Sequence, residues 1–242
     1  MGVWIGTSGW SYNHWEGVLY PPGTAASARL GIYAQRFSTV ELNSSFYHWP
    51  RQTTFAGWRN RLPDGFQLSV KAPRGLTHAK RLYAPEVWVE RMASCWHQLA
   101  DRRAVLLVQL PPNQIRDDTR LEYFLRLMPS WIRIAVEFRH ASWHDEDVYA
   151  LLERHSVAYC VMSGATLPCV LRVTAPFAYL RLHGPDRDSL YAGSYPDEDL
   201  AWWADRIREW AGCGIDVYGY FNNDGEGHAV RNAETLRRLL TV

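Results

Sequence analysis

The sequence has almost no surplus charge. Its 26 Lys and Arg stand against 25 Asp and Glu, a formal net of +1. A protein built to grip duplex DNA usually carries a basic stripe, so no duplex-DNA partner is expected. Long apolar runs are missing too. None reaches the roughly 18 residues that a membrane-spanning helix requires, so no membrane partner is expected. No basic segment runs into a long apolar one near Met1, so no signal peptide is expected. Gly6 stands where an N-myristoylation start has Ser or Thr. The four cysteines, Cys95, Cys160, Cys169 and Cys213, form no C-x-x-C pair, and no Cys/His group has zinc spacing. They read as reduced thiols engaged mostly in packing, and the expected compartment is the cytoplasm. Low-complexity tracts, linkers and short repeats are absent as well, which leaves one domain over residues 1–242.

What is present is apolar and aromatic. The 242 residues are 47% hydrophobic and 21% charged, with 12 Trp and 13 Tyr. That is enough for one large core. Short β-type runs alternate with segments of helical spacing. Strands are expected at 3–7, 39–43, 66–71, 104–110, 132–138, 157–162, 177–183 and 216–222. Helices are expected at 27–37, 53–62, 85–99, 117–128, 145–155, 197–211 and 228–240. The interval 163–176 is short and holds Pro168 and Pro176, so the sixth helix is short or missing. About eight such units in a chain of this size predict an α/β fold, the (β/α)8 TIM barrel.

The chemistry gathers at strand ends. At the end of the fifth strand, in Val136-Glu137-Phe138-Arg139, Glu137 and Arg139 sit two residues apart and share a face. A charge inside a buried strand is costly unless it is paired or reaches a wet opening. The same pattern recurs with Glu41 and Asn43, Ser69 and Lys71, Gln109, Arg181 and His183, and Asn222. If each set faces the barrel axis, all converge on the C-terminal rim, where such barrels build their active sites. Any one of these residues alone is as well explained by a local ion pair; the set is not.

Lys71, Arg139 and Arg181 suit a phosphate or carboxylate, the arginines with a bidentate fork. Lys71 is also a Schiff-base candidate if desolvated. Glu41 and Glu137 are the acid/base candidates, and His183 is a proton shuttle. Asn43, Gln109, Asn222 and Asn223 would orient hydroxyls. Trp10, Tyr12 and Tyr47 lie in loops after strands and would wall a pocket for a flat or sugar-like ligand. The run from Asn222 to His228 is a glycine-bearing turn entering the last helix, a place for an anion at the helix N-terminus. Asp224 and Glu226 could equally cap that helix, and with His228 they are a conceivable metal set without a diagnostic spacing.

Three readings follow. The first is an enzyme doing acid/base chemistry on a small polar or anionic substrate, with a phosphosugar favoured and with hydrolase, isomerase and lyase not distinguished. The second is a non-catalytic binder of a metabolite or single-stranded nucleic acid. The third is a metal-dependent hydrolase. The sequence requires no cofactor, assigns no metal ligands and sets no oligomeric state.

Several blocks together resemble a known family. Gly6-Thr7-Ser8-Gly9-Trp10-Ser11-Tyr12, Val40-Glu41-Leu42-Asn43-Ser44-Ser45-Phe46-Tyr47, Val70-Lys71-Ala72, Gln109-Leu110-Pro111-Pro112, Val136-Glu137-Phe138-Arg139-His140, Leu180-Arg181-Leu182-His183-Gly184 and Tyr220-Phe221-Asn222-Asn223-Asp224 are similar, in this order, to the signature blocks of the YecE-like family, domain of unknown function seventy-two. Ser45 stands where the family more often has Thr. The resemblance implies a TIM barrel with a polar pocket lined by these blocks. It supplies no reaction.

Overall fold

The computed structural model describes residues 2–241. Eight strands alternate with helices: β1 (Val3–Thr7), α1 (Ala26–Arg36), β2 (Thr39–Leu42), a one-turn α2 (Ser44–Tyr47), α3 (Gln52–Arg61), β3 (Gln67–Lys71), α4 (Glu86–His97), β4 (Arg103–Gln109), α5 (Asp118–Leu127), β5 (Ile134–Glu137), α6 (Glu146–Arg154), β6 (Ala158–Ser163), β7 (Phe177–Leu182), α7 (Asp197–Gly212), β8 (Asp216–Phe221) and α8 (His228–Leu240). The strand order is β1-β8-β7-β6-β5-β4-β3-β2, and a parallel bridge from Ser8 to Glu41 joins the end of β1 to β2. This is the (β/α)8 TIM barrel. No helix lies between β6 and β7, as the prolines there predict. No helix among the described residues is long and apolar enough to cross a membrane.

The chain forms two compact units. The first holds the chain up to Glu41, Val161–Leu171, and the chain from Pro176 onward. Its β8 is hydrogen-bonded to β1 on one side and to β7 on the other, both parallel. All six residues of β7 are buried, as expected of a parallel strand covered on both faces. On α7, Leu200, Trp203, Ala204 and Ile207 are buried, the spacing of one helical stripe. Its first turn carries Asp197, Glu198 and Asp199, which suit the positive end of the helix dipole. Position 184 requires glycine: its φ is 99°, and a Cβ there would come within 2.1 Å of the Ala192 carbonyl oxygen.

The second unit holds Leu42–Cys160 and Arg172–Ala175. Here β4 is paired in parallel with β3 and β5. Its Ala104-Val105-Leu106-Leu107-Val108 run is buried throughout. α5 and α6 are capped by Asp117 and Asp145, whose side chains accept from the Arg120 and Asp147 amides at 3.0 Å.

Three expectations change. Asn43 is not on β2; it has helical backbone angles and opens the short turn Ser44–Tyr47. The strand stops because Ser45 folds back, its hydroxyl bonding the carbonyls of Leu42 at 3.0 Å and Lys71 at 2.7 Å. His183 and Asn222 likewise lie just beyond β7 and β8 rather than within them. Only two cysteines, Cys95 and Cys160, are buried; Cys169 and Cys213 are exposed.

Candidate functional site

The first unit gathers Ser8, Glu41, Tyr179 and Arg181. Tyr179 and Arg181 are two apart on β7 and point the same way. One oxygen of Glu41 accepts from Arg181 Nη2 at 2.8 Å and Nε at 3.2 Å, and also from the Ser8 hydroxyl. The other accepts from the Tyr179 hydroxyl at 2.6 Å. The side chains of Glu41 and Arg181 are 0% and 1% exposed. Each charge is therefore matched inside the protein. Burial, followed by the Glu41 charge, holds the Tyr179 phenol well above its ordinary range, which keeps it a hydrogen-bond donor.

His183 is also wholly buried. Its Nδ1 accepts from Asn222 Nδ2 at 3.2 Å, and the Tyr191 ring meets it edge-on at 5.3 Å. Asn223 faces a different set: its amide nitrogen donates to the Gly193 carbonyl and to Asn232 Oδ1, both at 2.9 Å. That ties a loop to α8. Trp10 and Tyr12 are half-exposed; the Tyr12 hydroxyl donates to the Ser8 carbonyl at 2.7 Å, and its ring packs on Trp15. Burial, then Asp224 and Glu41, raise the Tyr12 phenol.

The N-terminus of α8 is partly occupied by the chain itself. The Ala229 amide bonds the Asn223 carbonyl at 3.0 Å. Asp224 lies 3.6 Å from His14, whereas Glu226 lies 3.5 Å from His228. Among the described residues, no three His, Cys, Asp or Glu side chains are grouped to hold a metal ion.

The second unit gathers Phe46, Lys71, His78, Gln109, Glu137 and Arg139. Register pairs Gln109 with Glu137 across β4 and β5 and Lys71 with Leu107 across β3 and β4, so three neighbouring strand ends supply the polar groups. One oxygen of Glu137 accepts from Gln109 Nε2 and from Arg139 Nε. The Cys160 thiol approaches the other at 3.8 Å. Glu137 is 0% exposed and the Arg139 side chain 8%. Lys71 Nζ stands 4.4 Å from the centre of the Phe46 ring, a cation–π contact. Tyr47, next to Phe46, is 71% exposed. Ser69 is turned to the backbone, its hydroxyl accepting from the Val105 amide at 3.3 Å.

His78 belongs to this group and has no counterpart in the sequence reading. It stands on a single π-helical turn, Gly75–Ala79, after β3. Its ring meets Phe46 edge-on at 4.8 Å. Burial first, then the cations Lys71, Arg74 and Arg139, push its pKa down to about 4. A π turn leaves no regular spacing to read, and only its position seven residues after Lys71 hints at the link.

The sequence model described as "Protein of unknown function DUF72" matches residues 4–242. The chain belongs to the DUF72 family. Among DUF72 relatives, the UPF0759 protein YunF of Bacillus subtilis (strain 168) is 28% identical over 99% of this chain and 95% of its own length. The UPF0759 protein YecE of Escherichia coli (strain K12) is 28% identical over 57% of this chain and 48% of its own. The crystal structure of the DUF72 protein TM1631 of Thermotoga maritima is 29% identical and superposes with a TM-score of 0.90, covering 100% of both chains. That of EF0366 of Enterococcus faecalis, 18% identical with a TM-score of 0.87 over 99% of this chain and 96% of that one, shares the fold. DUF72 membership and the barrel are thus as the signature blocks imply.

Proposed function

We propose that this protein is an enzyme doing acid/base chemistry on a small anionic, sugar-like substrate, a phosphosugar being the favoured class. The observation that carries the reading is the group at the ends of β3, β4 and β5. Lys71 and Arg139 supply positive charge beside a fully buried carboxylate, Glu137, that Gln109 and Arg139 hold in one orientation. In this reading Lys71 and Arg139 take the anionic group. Glu137 is the base, Gln109 fixes its position, and the exposed Tyr47 ring gives a sugar face a platform. Asn43, at the start of the turn that carries Phe46 and Tyr47, orients a hydroxyl. Glu41 and Arg181 neutralise one another and serve as support.

The test is turnover of a panel of sugars and sugar phosphates by the wild-type protein and by Glu137→Gln. We expect turnover of a sugar phosphate by wild type and a loss of about 10²–10⁴-fold in the variant, the usual scale for a general base. Absence of turnover across the whole panel would remove the reading.

One observation favours a binder instead. Glu137 is already paired with Arg139, as it would be in a module that only holds a ligand. Thermal stabilisation by a panel compound that is never consumed would decide for that alternative.

A further inference from the structure

Thr77 and His78 are joined at one edge of the ring. The Thr77 hydroxyl oxygen lies 3.1 Å from the Pro73 carbonyl and 3.0 Å from His78 Nδ1. In the neutral ring one nitrogen carries the hydrogen and the other keeps a lone pair. Around the ring stand Phe46, with Lys71 on its face, and the charges of Lys71, Arg74, Glu137 and Arg139.

We propose that His78 is the proton acceptor of this site, taking one proton from solvent onto its unprotonated ring nitrogen as a dianionic group settles beside Lys71 and Arg139, so that anion binding and protonation are coupled. The inference rests on the anion-binding part of the reading above.

The physical reason is electrostatic. Three cations and partial burial oppose a fourth positive charge, and they outweigh the single carboxylate, Glu137. At neutral pH the ring is therefore uncharged. A dianion beside Lys71 and Arg139 cancels the opposing field and adds an attraction, so the bound state holds a proton that the empty state does not. By linkage, the anion must then bind more tightly as pH falls. Only the solvent proton and one ring-nitrogen lone pair are involved; no other bond changes.

Sulfate is the probe, because it stays a dianion from neutral to mildly acidic pH. Its binding to the full chain is measured by calorimetry at constant ionic strength, at pH of about 7 and about 5, in two buffers of different ionisation heat. We expect net proton uptake on binding and an affinity several-fold higher at the lower pH; a single linked proton allows at most about tenfold per pH unit. In His78→Gln, sulfate should still bind, with the pH dependence flattened and proton uptake lost. NMR of histidine-labelled wild type gives a second readout that needs no variant: sulfate should move the His78 ring toward its protonated position.

If sulfate binds but wild type and His78→Gln share one pH dependence, or the wild-type ring does not respond, the coupling is overturned while the anion site stands. If sulfate fails to bind wild type, or binds Lys71→Gln and Arg139→Gln equally well, the anion site is overturned and the coupling with it.

Discussion

Glu41 and Arg181 bring opposite charges together with almost no solvent contact, and each of the two Glu41 oxygens is occupied by a donor. Removing one partner leaves the other charged and buried, which in comparable pairs costs about 3–5 kcal/mol. Glu41→Gln should therefore lower stability in urea unfolding by an amount near that range. The double variant Glu41→Leu with Arg181→Met should be more stable than either single one, since no unpaired charge remains. A loss below about 1 kcal/mol in Glu41→Gln would mean that the pair is not a structural ion pair. His78 makes a second residue-scale prediction, with its sign set by the lowered pKa of about 4. An unfolded histidine protonates near pH 6.5. Between about 6.5 and 4 the unfolded chain takes the proton and the folded one does not, so stability falls as pH falls, and levels off below the folded value. His78→Gln should make the decline in Tm across that window shallower. His144, lowered by burial, acts in the same direction and accounts for part of the remaining slope.

Elements show where alternation could be read and where it failed. Inside β7 the two-residue period holds: Tyr179 and Arg181 share a face, and both reach Glu41. At β2 the same rule overran by one residue. The Ser45 hydroxyl ends the strand by a local bond that strand periodicity does not encode, so Asn43 begins a helix turn. The π turn carrying His78 was invisible for the same reason: one irregular turn has no period. Thus the β/α alternation and the polar residues near strand ends were legible as positions, whereas residues set by single side-chain bonds were not. Ser45 also fixes the end of β3 through the Lys71 carbonyl. Ser45→Ala should cost about 1–3 kcal/mol, since the one hydroxyl hydrogen shared between the Leu42 and Lys71 carbonyls is lost. Ser45→Thr keeps the hydroxyl and should cost less; equal losses in the two variants would show that the hydroxyl is not what anchors β3.

At the scale of the molecule, each compact unit contains a strand paired on both sides. In the first unit β8 lies between β1 and β7; in the second β4 lies between β3 and β5, and β5 in turn pairs with β4 and β6. These strands are covered on both faces by apolar side chains, and their amides are held by both neighbours, as in the 2.9 Å bond from the Leu106 amide to the Arg133 carbonyl. Such amides meet solvent only when the surrounding sheet opens, so their exchange reports the largest opening free energies. Residues 164–176 belong to neither helix nor strand, because Pro168 and Pro176 deny the interval a continuous helix. Its backbone has no ladder to protect it. Native-state hydrogen exchange should therefore give two slow centres, Val105–Val108 in β4 and Val217–Tyr220 in β8, with amides of residues 165–173 exchanging orders of magnitude faster. If the β8 amides exchanged as fast as that interval, two-sided pairing would not be what stabilises the first unit. The burial of Arg181 on its neighbour β7 would then need another source of rigidity.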